Sequence, residues 1–365
     1  MKIVQLIPEL NEGGVERGVV ELSRELVKQG FESVVISNGG KLVEQLEKNG
    51  SLHVKLDVCS KNIVSAPWRI VKLYFALKNI KPDLVHVRSR VPAWMVFFAN
   101  KCLHFPVIST VHGFNSVNKY SAIMVKADQI ICASSFLVEH IVKHFHANPT
   151  KIHIIPRGID FNYFNTEALD TQFIEAFKQE HHLAHKRVIF HVARITHWKD
   201  QATTIRAFLE LRSQRNDIKL FFAGGIDPKR VSYYEELQTL VTNSEYAEDI
   251  VFLGSQSKMK ELYTLADLTI SASTKPETFG RANVESLAMG VPLLATPIGA
   301  TKDYVIEGQT GFFFEPKNHH ELAKLMQKSL SDYSFNRELI KVFAKTHFSL
   351  DQMVDKNVAI YRMFE

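Results

Sequence analysis

Residues 268–295 read LTISASTKPETFGRANVESLAMGVPLLA, and their pattern decides the fold class of the chain. The apolar runs Leu268–Ser271 and Val291–Ala295 have the length and composition of buried parallel strands. Between them, Arg281–Met289 has the apolar spacing of a helix, which Gly290 would end. A strand, a helix and a second strand in this order predict a parallel βαβ unit.

Two carboxylates lie within this unit. Glu277 is in the turn before the helix, and Glu285 follows eight residues later inside it. A helix N-terminus offers free backbone N–H groups and the positive end of a dipole, both of which suit an anion. Carboxylates accept hydrogen bonds from hydroxyl groups. The turn therefore suits a phosphorylated, hydroxyl-rich ligand, although a solvated helix face is the simpler interpretation of the glutamates alone.

Both halves of the chain alternate strands and helices in this way. Further strands are predicted at Lys2–Ile7, Ser33–Ser37, Leu84–Val87, Val107–Val111, Gln129–Ala133, Val188–Val192, Lys219–Ala223, Ile250–Leu253 and Gly311–Phe314. The repeated alternation predicts two Rossmann-like, doubly wound parallel-sheet domains that face an interdomain cleft. We place the domains at residues 1–165 and 166–350. The sequence leaves open whether a C-terminal helix at 351–365 packs back on the first domain.

The composition is that of an ordinary globular enzyme of 365 residues, with 45% hydrophobic and 23% charged residues. The three cysteines lie in apolar runs without paired spacing, which indicates buried thiols in a reducing compartment. No apolar run approaches the length of a transmembrane helix, and residues 1–10 do not have the pattern of a signal peptide. These features favour a cytoplasmic location.

Positive charge is concentrated in the first half of the chain. Residues 1–165 carry a formal net charge of +7, whereas residues 166–365 carry −2. Basic residues between Lys55 and Arg90 alternate with aromatic ones, an arrangement that suits contact with anionic lipid headgroups. A solvated helix over about residues 66–79 explains the same pattern. Nucleic acid is not an expected partner, because no RNA-binding motif accompanies the charge.

Two motifs in the first half lie where a ligand would bind. Gly13-Gly14 follows the first strand and opens a helix, which permits close backbone approach to a ligand, although such a turn can also be empty. It is not the dinucleotide fingerprint, because the Gly-x-Gly-x-x-Gly spacing is absent. His112 follows the strand Val107–Val111 and precedes a glycine. It could bind a sugar hydroxyl or be a structural histidine.

A cationic pair follows the strand Val188–Val192. Arg194 offers a planar guanidinium and Lys199 a point charge, so together they could clamp a diphosphate. Neutralising a departing diphosphate is electrostatic catalysis that needs no metal. The chain contains no Asp-x-Asp pair, the usual carboxylate seat of a divalent cation bound to a nucleotide. We therefore expect neither a metal nor a cofactor.

Taken together, these motifs resemble those of retaining glycosyltransferases of the GT-B fold, in the family-four group that uses nucleotide-sugar donors. The resemblance covers nearly the whole chain and also includes Pro156-Arg157-Gly158-Ile159-Asp160, Phe222-Ala223-Gly224-Gly225, Phe252-Leu253-Gly254, Ala295-Thr296-Pro297-Ile298-Gly299 and Gly308-Gln309-Thr310-Gly311. It implies transfer of a hexose, with retention of configuration, from a UDP- or GDP-sugar to a glycan or glycolipid acceptor.

The resemblance also implies roles for the matching residues. The donor-binding set is Gly13, Gly14, Arg194, Lys199, Gly254, Glu277, Phe279, Gly280 and Glu285, and the catalytic set is His112, Arg194, Lys199 and Glu277. Within these sets, Arg194 and Lys199 hold the diphosphate, Glu277 binds the hexose hydroxyls, and Glu285 binds the ribose hydroxyls. His112 contacts the sugar near its anomeric carbon. Three residues depart from the family pattern without removing a charge: Arg157, Asp200 and Thr278.

A narrower resemblance links residues 86–94 and 112–121 to bacterial transferases that add hexoses to the lipopolysaccharide core. It implies an acceptor site with Arg88, Arg90 and Asn115. The two arginines could meet acidic carboxylates or phosphates on such an acceptor, or they could be a pair of surface arginines. An acceptor of this kind also implies a position on the inner face of the cytoplasmic membrane.

Other interpretations remain open on the sequence alone. A nucleotide-sugar epimerase would share the fold and the donor pocket, but it would act without an acceptor. A membrane-associated binding protein without activity is a further possibility, although it would not need the two cations and two glutamates together. His140 and His144, four residues apart on a predicted helix, could contribute to a zinc site only with a further ligand.

Overall fold

The computed structural model describes residues 1–11, 13–226 and 231–365, which form two α/β units. The first unit consists of Met1–Gly158 and Leu350–Glu365, and the second consists of Ile159–Ser349. Each unit is built around one parallel sheet, of seven strands in the first unit and six in the second. The predicted fold of two doubly wound parallel-sheet domains is confirmed.

The strands are β1 (Lys2–Leu6), β2 (Glu32–Ser37), β3 (Leu52–Lys55), β4 (Leu84–Val87), β5 (Val107–Val111), β6 (Gln129–Cys132), β7 (Ile152–Ile154), β8 (Arg187–Val192), β9 (Ile218–Ala223), β10 (Ile250–Gly254), β11 (Leu268–Ser271), β12 (Leu293–Ala295) and β13 (Gly311–Phe313). The α-helices are α1 (Gly14–Lys28), α2 (Val43–Lys48), α3 (Ala66–Ile80), α4 (Arg90–Ala99), α5 (Ser135–Phe145), α6 (Thr171–Glu180), α7 (Gln201–Arg212), α8 (Val231–Thr242), α9 (Met259–Leu265), α10 (Arg281–Ala288), α11 (His319–Gln327), α12 (Arg337–Phe348) and α13 (Leu350–Tyr361).

The first sheet has the strand order β3-β2-β1-β4-β5-β6-β7. Its central strands β1, β4 and β5 are almost completely buried, which explains why their continuous apolar runs could be recognised. The edge strands β3 and β7 are short and partly exposed, and neither was predicted. A strand that is covered on one side only does not need a continuous apolar run.

The second sheet has the strand order β10-β9-β8-β11-β12-β13. Every strand expected in this half is present, with ends that differ by at most two residues from those predicted. No element was predicted in the polar stretch before β8, but Thr171–Glu180 forms helix α6. The side chain of Asp170 caps this helix by accepting the backbone N–H of Phe173 at 2.9 Å.

The C-terminal helix α13 belongs to the first unit. Its residues Val354, Val358 and Tyr361 are buried in one apolar cluster with Ile3 of β1 and Leu22 of α1. Leu350, the first residue of α13, packs closely against Gly158, because a Cβ atom on this glycine would lie 2.5 Å from the Cα of Leu350. The chain therefore returns to the first unit after it has completed the second.

Among the residues that the structure describes, no helix has both the length and the apolar character that crossing a bilayer requires.

Candidate functional site

In the second unit, the loops that follow β8 and β11 leave the same edge of the sheet. The two strands are parallel neighbours, yet the chain continues from β8 toward β9 on one side and from β11 toward β12 on the other. Open parallel sheets bind ligands at such a reversal of strand order, outside the carboxyl ends of the strands. The loop after β8 carries Arg194 and Lys199, and the loop after β11 carries Glu277.

Backbone hydrogen bonds hold the two loops together. The N–H of Thr274 donates to the carbonyl of Trp198 at 2.7 Å, which ties the loop after β11 to the loop after β8. The latter is fixed on its other side, where the N–H of Ile195 donates to the carbonyl of Gly225 at 3.0 Å. A Cβ atom on Gly224 would lie 1.9 Å from the carbonyl oxygen of Ala193, so only glycine allows this approach.

Lys199 and Glu277 form an ion pair between these loops. The Lys199 ammonium donates to Oε1 of Glu277, which also accepts from Ser273 Oγ at 2.6 Å. Their side chains are only 14% and 11% exposed. Burial lowers the pKa of Lys199, whereas the charge of Glu277 acts in the opposite direction. Glu277 Oε2 has no hydrogen-bond partner among the described residues, so it can accept from a ligand.

Arg194 lies exposed beside this pair, and its charge contributes to the lowered pKa of Lys199. Its guanidinium forms no ion pair with any described residue. The carbonyl of Arg194 accepts from the side-chain amide of Gln201 at 3.0 Å, which fixes the backbone and leaves the side chain available. The loops thus place two cations near each other, one almost enclosed and one exposed.

The loop after β12, which contains Thr296 and Gly299, holds the Glu277 turn in place. The N–H of Ala300 donates to the carbonyl of Glu277 at 3.0 Å, and Thr296 Oγ1 donates to the carbonyl of Ser273 at 2.6 Å. Gly299 has φ of 74°, and a Cβ atom there would lie 2.5 Å from the carbonyl oxygen of Glu277. The loop therefore has a structural role, namely to fix the carboxylate that pairs with Lys199.

The N-terminus of α10 lies directly after this turn. Gly280 caps the helix with φ of 76° and no side-chain cap, while the ring of Phe279 is buried in the core. Only the backbone of Phe279 and Gly280 is therefore available to a ligand. Glu285 is not bonded to Glu277 or Lys199; it accepts from Arg281 Nε at 2.9 Å. The spacing of four residues on one helix could have indicated this ion pair.

Gly254 ends β10 in the left-handed region, with φ of 67°. Its carbonyl accepts the N–H of Gly224 at 2.8 Å, which links the ends of β9 and β10. A Cβ atom at Gly254 would meet open space, consistent with a surface available to a ligand.

The first unit has its own reversal of strand order, between β1 and β4. Gly13 and Gly14 open α1 after β1, and Arg88 follows β4. Arg88 is buried, so its interpretation as a surface arginine is wrong. Its guanidinium donates to Gln5 Oε1 at 2.5 Å and to Thr110 Oγ1 at 3.2 Å. No described carboxylate forms an ion pair with it.

His112 lies beside Arg88, and both line one cavity with Gly14 and Arg157. Neither ring nitrogen of His112 has a hydrogen-bond partner among the described residues. Burial lowers the pKa of His112 well below its usual value, and the charges of Arg157 and Arg88 add to this effect. The imidazole is therefore neutral at physiological pH, with one donor and one acceptor available to a ligand.

The sequence did not predict that Arg157 lines this cavity. This residue was recognised only as a departure from the family pattern. In the structure it reaches α1, because a Cβ atom on Gly14 would lie 2.8 Å from Arg157 Nη1. The side chain thus adds a second cation beside Arg88.

Arg90 and Asn115 lie in an adjoining cavity of about 230 Å³, which Arg88 and His112 also line. The guanidinium of Arg90 donates to Ser121 Oγ at 3.1 Å and lies 5.6 Å from the ring centre of Tyr120. The three predicted acceptor-binding residues are therefore brought together in the first unit.

A buried chain of hydrogen bonds runs from Tyr361 through His86 to Thr110, which accepts from Arg88. His86 Nδ1 is 2.7 Å from the hydroxyl of Tyr361, and His86 Nε2 is 2.7 Å from Thr110 Oγ1. Burial lowers the pKa of His86 well below its usual value. The neutral ring has one N–H and one acceptor nitrogen, so it can complete both bonds. Through Thr110 the chain reaches Arg88.

Replacing Tyr361 with Phe should lower the free energy of unfolding by about 1–3 kcal/mol, because a buried nitrogen of His86 would lose its partner. Chemical denaturation measures this difference. Tyr74→Phe is the matched control, since the hydroxyl of Tyr74 has no hydrogen bond with any described residue. Equal stability of the two variants would show that the His86 chain contributes nothing.

His140 and His144 lack the further ligand that a zinc site would need, as far as the described residues show. The rings of His140 and His144 are 4.8 Å apart, but no third His, Cys, Asp or Glu ligand joins them within the described part of the chain. Glu210, His319 and His320 do come together on the surface of the second unit, where His320 Nδ1 is 2.8 Å from Glu210 Oε2. None of these three residues is a predicted site residue.

Each half of the chain matches the model of a known protein family. Residues 172–345 match the family model of Glycosyl transferases group 1. Residues 12–163 match that of Glycosyltransferase Family 4. A lipopolysaccharide 1,2-N-acetylglucosaminetransferase of Salmonella typhimurium is 28% identical over 210 residues, which are 56% of this chain and 53% of that protein.

Solved structures show the same architecture. The chain is similar to a glycosyltransferase from Rickettsia africae, with 29% identity and a TM-score of 0.91, over all of this chain and 98% of the other. It is also similar to HepE of Anabaena in complex with UDP, with 19% identity and a TM-score of 0.86 over all of both chains.

Proposed function

Because the chain belongs to the group 1 glycosyltransferases, we propose that it transfers a hexose from a nucleotide diphosphate sugar to a glycan or glycolipid acceptor. The observation that carries this proposal is the contact between Lys199 and Glu277 at the strand-order reversal of the second sheet, beside the exposed Arg194. A nucleotide sugar requires cations for its diphosphate and acceptors for its hydroxyls. These loops contain both.

The proposed reaction proceeds with retention of configuration. The bond between the anomeric carbon and the diphosphate oxygen breaks, and the acceptor oxygen bonds to the carbon on the same face. Arg194 and Lys199 stabilise the departing diphosphate, aided by the free N–H groups at the start of α10. The departing oxygen takes the proton of the acceptor hydroxyl, so no side chain has to act as a strong base. Glu277 Oε2 binds hexose hydroxyls.

The remaining donor contacts stay predictions. Glu285 would bind the ribose hydroxyls once its hydrogen bond with Arg281 is broken. Gly254 would line the pocket of the base. Gly13, Gly14 and His112 are assigned to the donor by resemblance only. The UDP bound to the Anabaena protein supports a uridine nucleotide as the first donor to test.

The buried guanidinium of Arg88 in the first unit suits an acceptor that carries a negative charge. A buried guanidinium without a carboxylate is unfavourable, and an anion supplied by a ligand would relieve this. We assign this role to an acceptor carboxylate or phosphate held by Arg88 and Arg90, with Asn115 binding a hydroxyl. The Salmonella relative acts on lipopolysaccharide, which supports the lipopolysaccharide core as acceptor. Such a glycolipid would be met at the cytoplasmic face of the inner membrane.

A thermal-shift panel of UDP- and GDP-sugars tests the donor. A ligand at 100 times its dissociation constant stabilises the native state by about 2.7 kcal/mol, which raises the melting temperature. Product analysis with and without a lipopolysaccharide acceptor then separates the activities. Conversion of the nucleotide sugar without acceptor would identify an epimerase, and absence of binding to every nucleotide sugar would refute the proposal.

Chelation should leave the activity unchanged. The proposed clamp uses protein cations, and the chain has no Asp-x-Asp pair to seat a divalent ion. We expect the same initial rate in EDTA as in Mg²⁺ or Mn²⁺, measured with saturating donor. A rate that disappears in EDTA and returns on adding a divalent ion would contradict metal independence.

A further inference from the structure

One side of the first unit exposes a set of large apolar side chains. Right-handed crossovers place α3 and α4 on the same side of the sheet, where they pack against each other. Their inner sides contribute to one buried cluster, for example through Leu73 of α3 and Val96 of α4. Their outer sides carry residues that no described part of the chain covers, and these define what we call the α3–α4 face.

The α3–α4 face is unusually apolar for a protein surface. Trp68, Val71 and Phe75 follow one another at spacings of three and four residues and so form one stripe along α3. Trp68 is 65% exposed. In the loop before α3, Ile63 and Val64 are 85% and 90% exposed. The face continues on α4 with the exposed rings of Phe97 and Phe98.

Lysines lie among these rings. Lys72 is 5.6 Å from the ring centre of Trp68, and Lys101 is 5.5 and 5.4 Å from those of Phe97 and Phe98. Lys78 lies 5.9 Å from Tyr74, and Lys126 lies 5.5 Å from Phe97. None of these four lysines forms a salt bridge with a described residue. Their charge is therefore available to a partner.

The segment that forms the face is almost free of acidic residues. Residues 58–127 contain ten lysines and arginines but a single acid, Asp83. The acids that flank this segment are engaged with it, since Asp57 lies 3.8 Å from Arg69 and Asp128 accepts the backbone N–H of Val107 at 2.8 Å. The carboxylate of Asp83 is already used, because it accepts the backbone N–H of Lys2 at 2.6 Å. A partner of this face must therefore offer negative charge together with an apolar layer. The two requirements are met by a bilayer that contains anionic lipid, in which rings enter the interface and lysines reach phosphates.

We propose that the α3–α4 face docks the protein onto the surface of an anionic bilayer, with Ile63, Val64, Trp68 and Phe75 inserted among the headgroups. A second copy of the chain fits less well, since it would bring lysines against lysines. Nucleic acid would leave the two aliphatic side chains without a role. The biological purpose of this docking rests on the proposed glycolipid acceptor, but binding to vesicles can be measured without sugar transfer.

Cosedimentation of the full chain with vesicles tests the proposal. We expect binding to phosphatidylcholine vesicles that contain phosphatidylglycerol, weaker binding at high salt, and little binding to phosphatidylcholine alone. Trp68→Ser combined with Phe75→Ser should weaken binding at least about tenfold through lost apolar burial. Lys72→Gln combined with Lys78→Gln should weaken it by about tenfold or more, since each lysine near an anionic surface contributes about fivefold.

Matched controls come from the second unit. Leu339 and Val342 of α12 are also exposed and apolar, so Leu339→Ser with Val342→Ser should bind vesicles like the parent. Melting temperatures and the transfer rate to a soluble acceptor should be the same in all variants. The proposal would be overturned if the parent chain did not bind anionic vesicles. It would also be overturned if each double variant of α3 bound them as tightly as the parent, or if the double variant of α12 lost as much binding as those of α3. Transfer to a soluble acceptor by a chain that does not bind vesicles would leave the proposed activity standing.

Discussion

Lys199→Ala should reduce turnover by about 10²- to 10³-fold, the usual cost of removing one group that stabilises developing charge. The ammonium is almost enclosed, and in such surroundings its attraction for a diphosphate is stronger than in water. The effect should fall on kcat, because the charge on the leaving group grows as the bond to carbon breaks. Steady-state kinetics with a saturating acceptor measures it.

The fold should tolerate this substitution. Glu277 would lose one partner but keep the hydrogen bond from Ser273 at 2.6 Å, and its turn would still be held by Gly299 and Ala300. Lys258→Ala is the control in the same unit, because Lys258 forms an exposed ion pair with Asp170 at 2.9 Å. A Lys199→Ala variant that transfers sugar at the parental rate would remove the clamp from the mechanism.

The arginine variant separates charge from shape. Lys199→Arg retains the positive charge, but the planar guanidinium cannot occupy the same enclosed position as an ammonium. We therefore expect activity between those of the parent and the alanine variant. If Lys199→Arg were as inactive as Lys199→Ala, geometry rather than charge alone would limit the reaction.

Strand positions were predictable wherever both sides of a strand are covered. β4 and β5 were predicted to the residue, because burial on both sides requires a continuous apolar run. β3 contains His53 and Lys55 and lies at an edge, so its sequence is not distinguishable from that of a loop. Helix α6 was missed for a related reason, since its buried side consists of a few residues such as Ile174 and Phe177 within a polar stretch.

The site was predictable as a set of loops but not as a set of contacts. The sequence places Arg194 and Glu277 in loops that follow two strands of one parallel sheet, and such loops meet at the carboxyl ends of the strands. That the Lys199 ammonium bonds to Glu277 depends on contacts between loops, such as that of Thr274 with Trp198, which have no local sequence signal. The burial of Arg88 could not be foreseen either. It depends on a helix that returns from the end of the chain and carries Tyr361.

Glu277→Gln should lower kcat/KM by about 10- to 10²-fold, since a neutral amide replaces a charged acceptor for the hexose hydroxyls. The fold should be preserved, because the amide oxygen can still accept from Ser273. This reduction alone would not distinguish sugar binding from a general loss of structure. The pH dependence of the variant makes that distinction.

The alkaline limb of the kcat/KM profile should move to lower pH in Glu277→Gln. Burial already lowers the pKa of Lys199, and the charge of Glu277 partly opposes this effect. Removing the negative charge therefore lowers the pKa further. Lys199 binds the diphosphate only when it is protonated, so a lower pKa means that activity is lost earlier as the pH rises.

Glu285→Gln is the matched control for this shift. Glu285 bonds to Arg281 rather than to Lys199, and its charge is not among the causes of the lysine's lowered pKa. We expect weaker donor binding in this variant, seen as a higher KM, and an alkaline limb at the parental pH. If the limb moved in both variants, the shift would reflect the overall charge of the site. If it moved in neither, the ion pair between the two loops would not control the protonation of Lys199, and the electrostatic role of Glu277 would have to be abandoned.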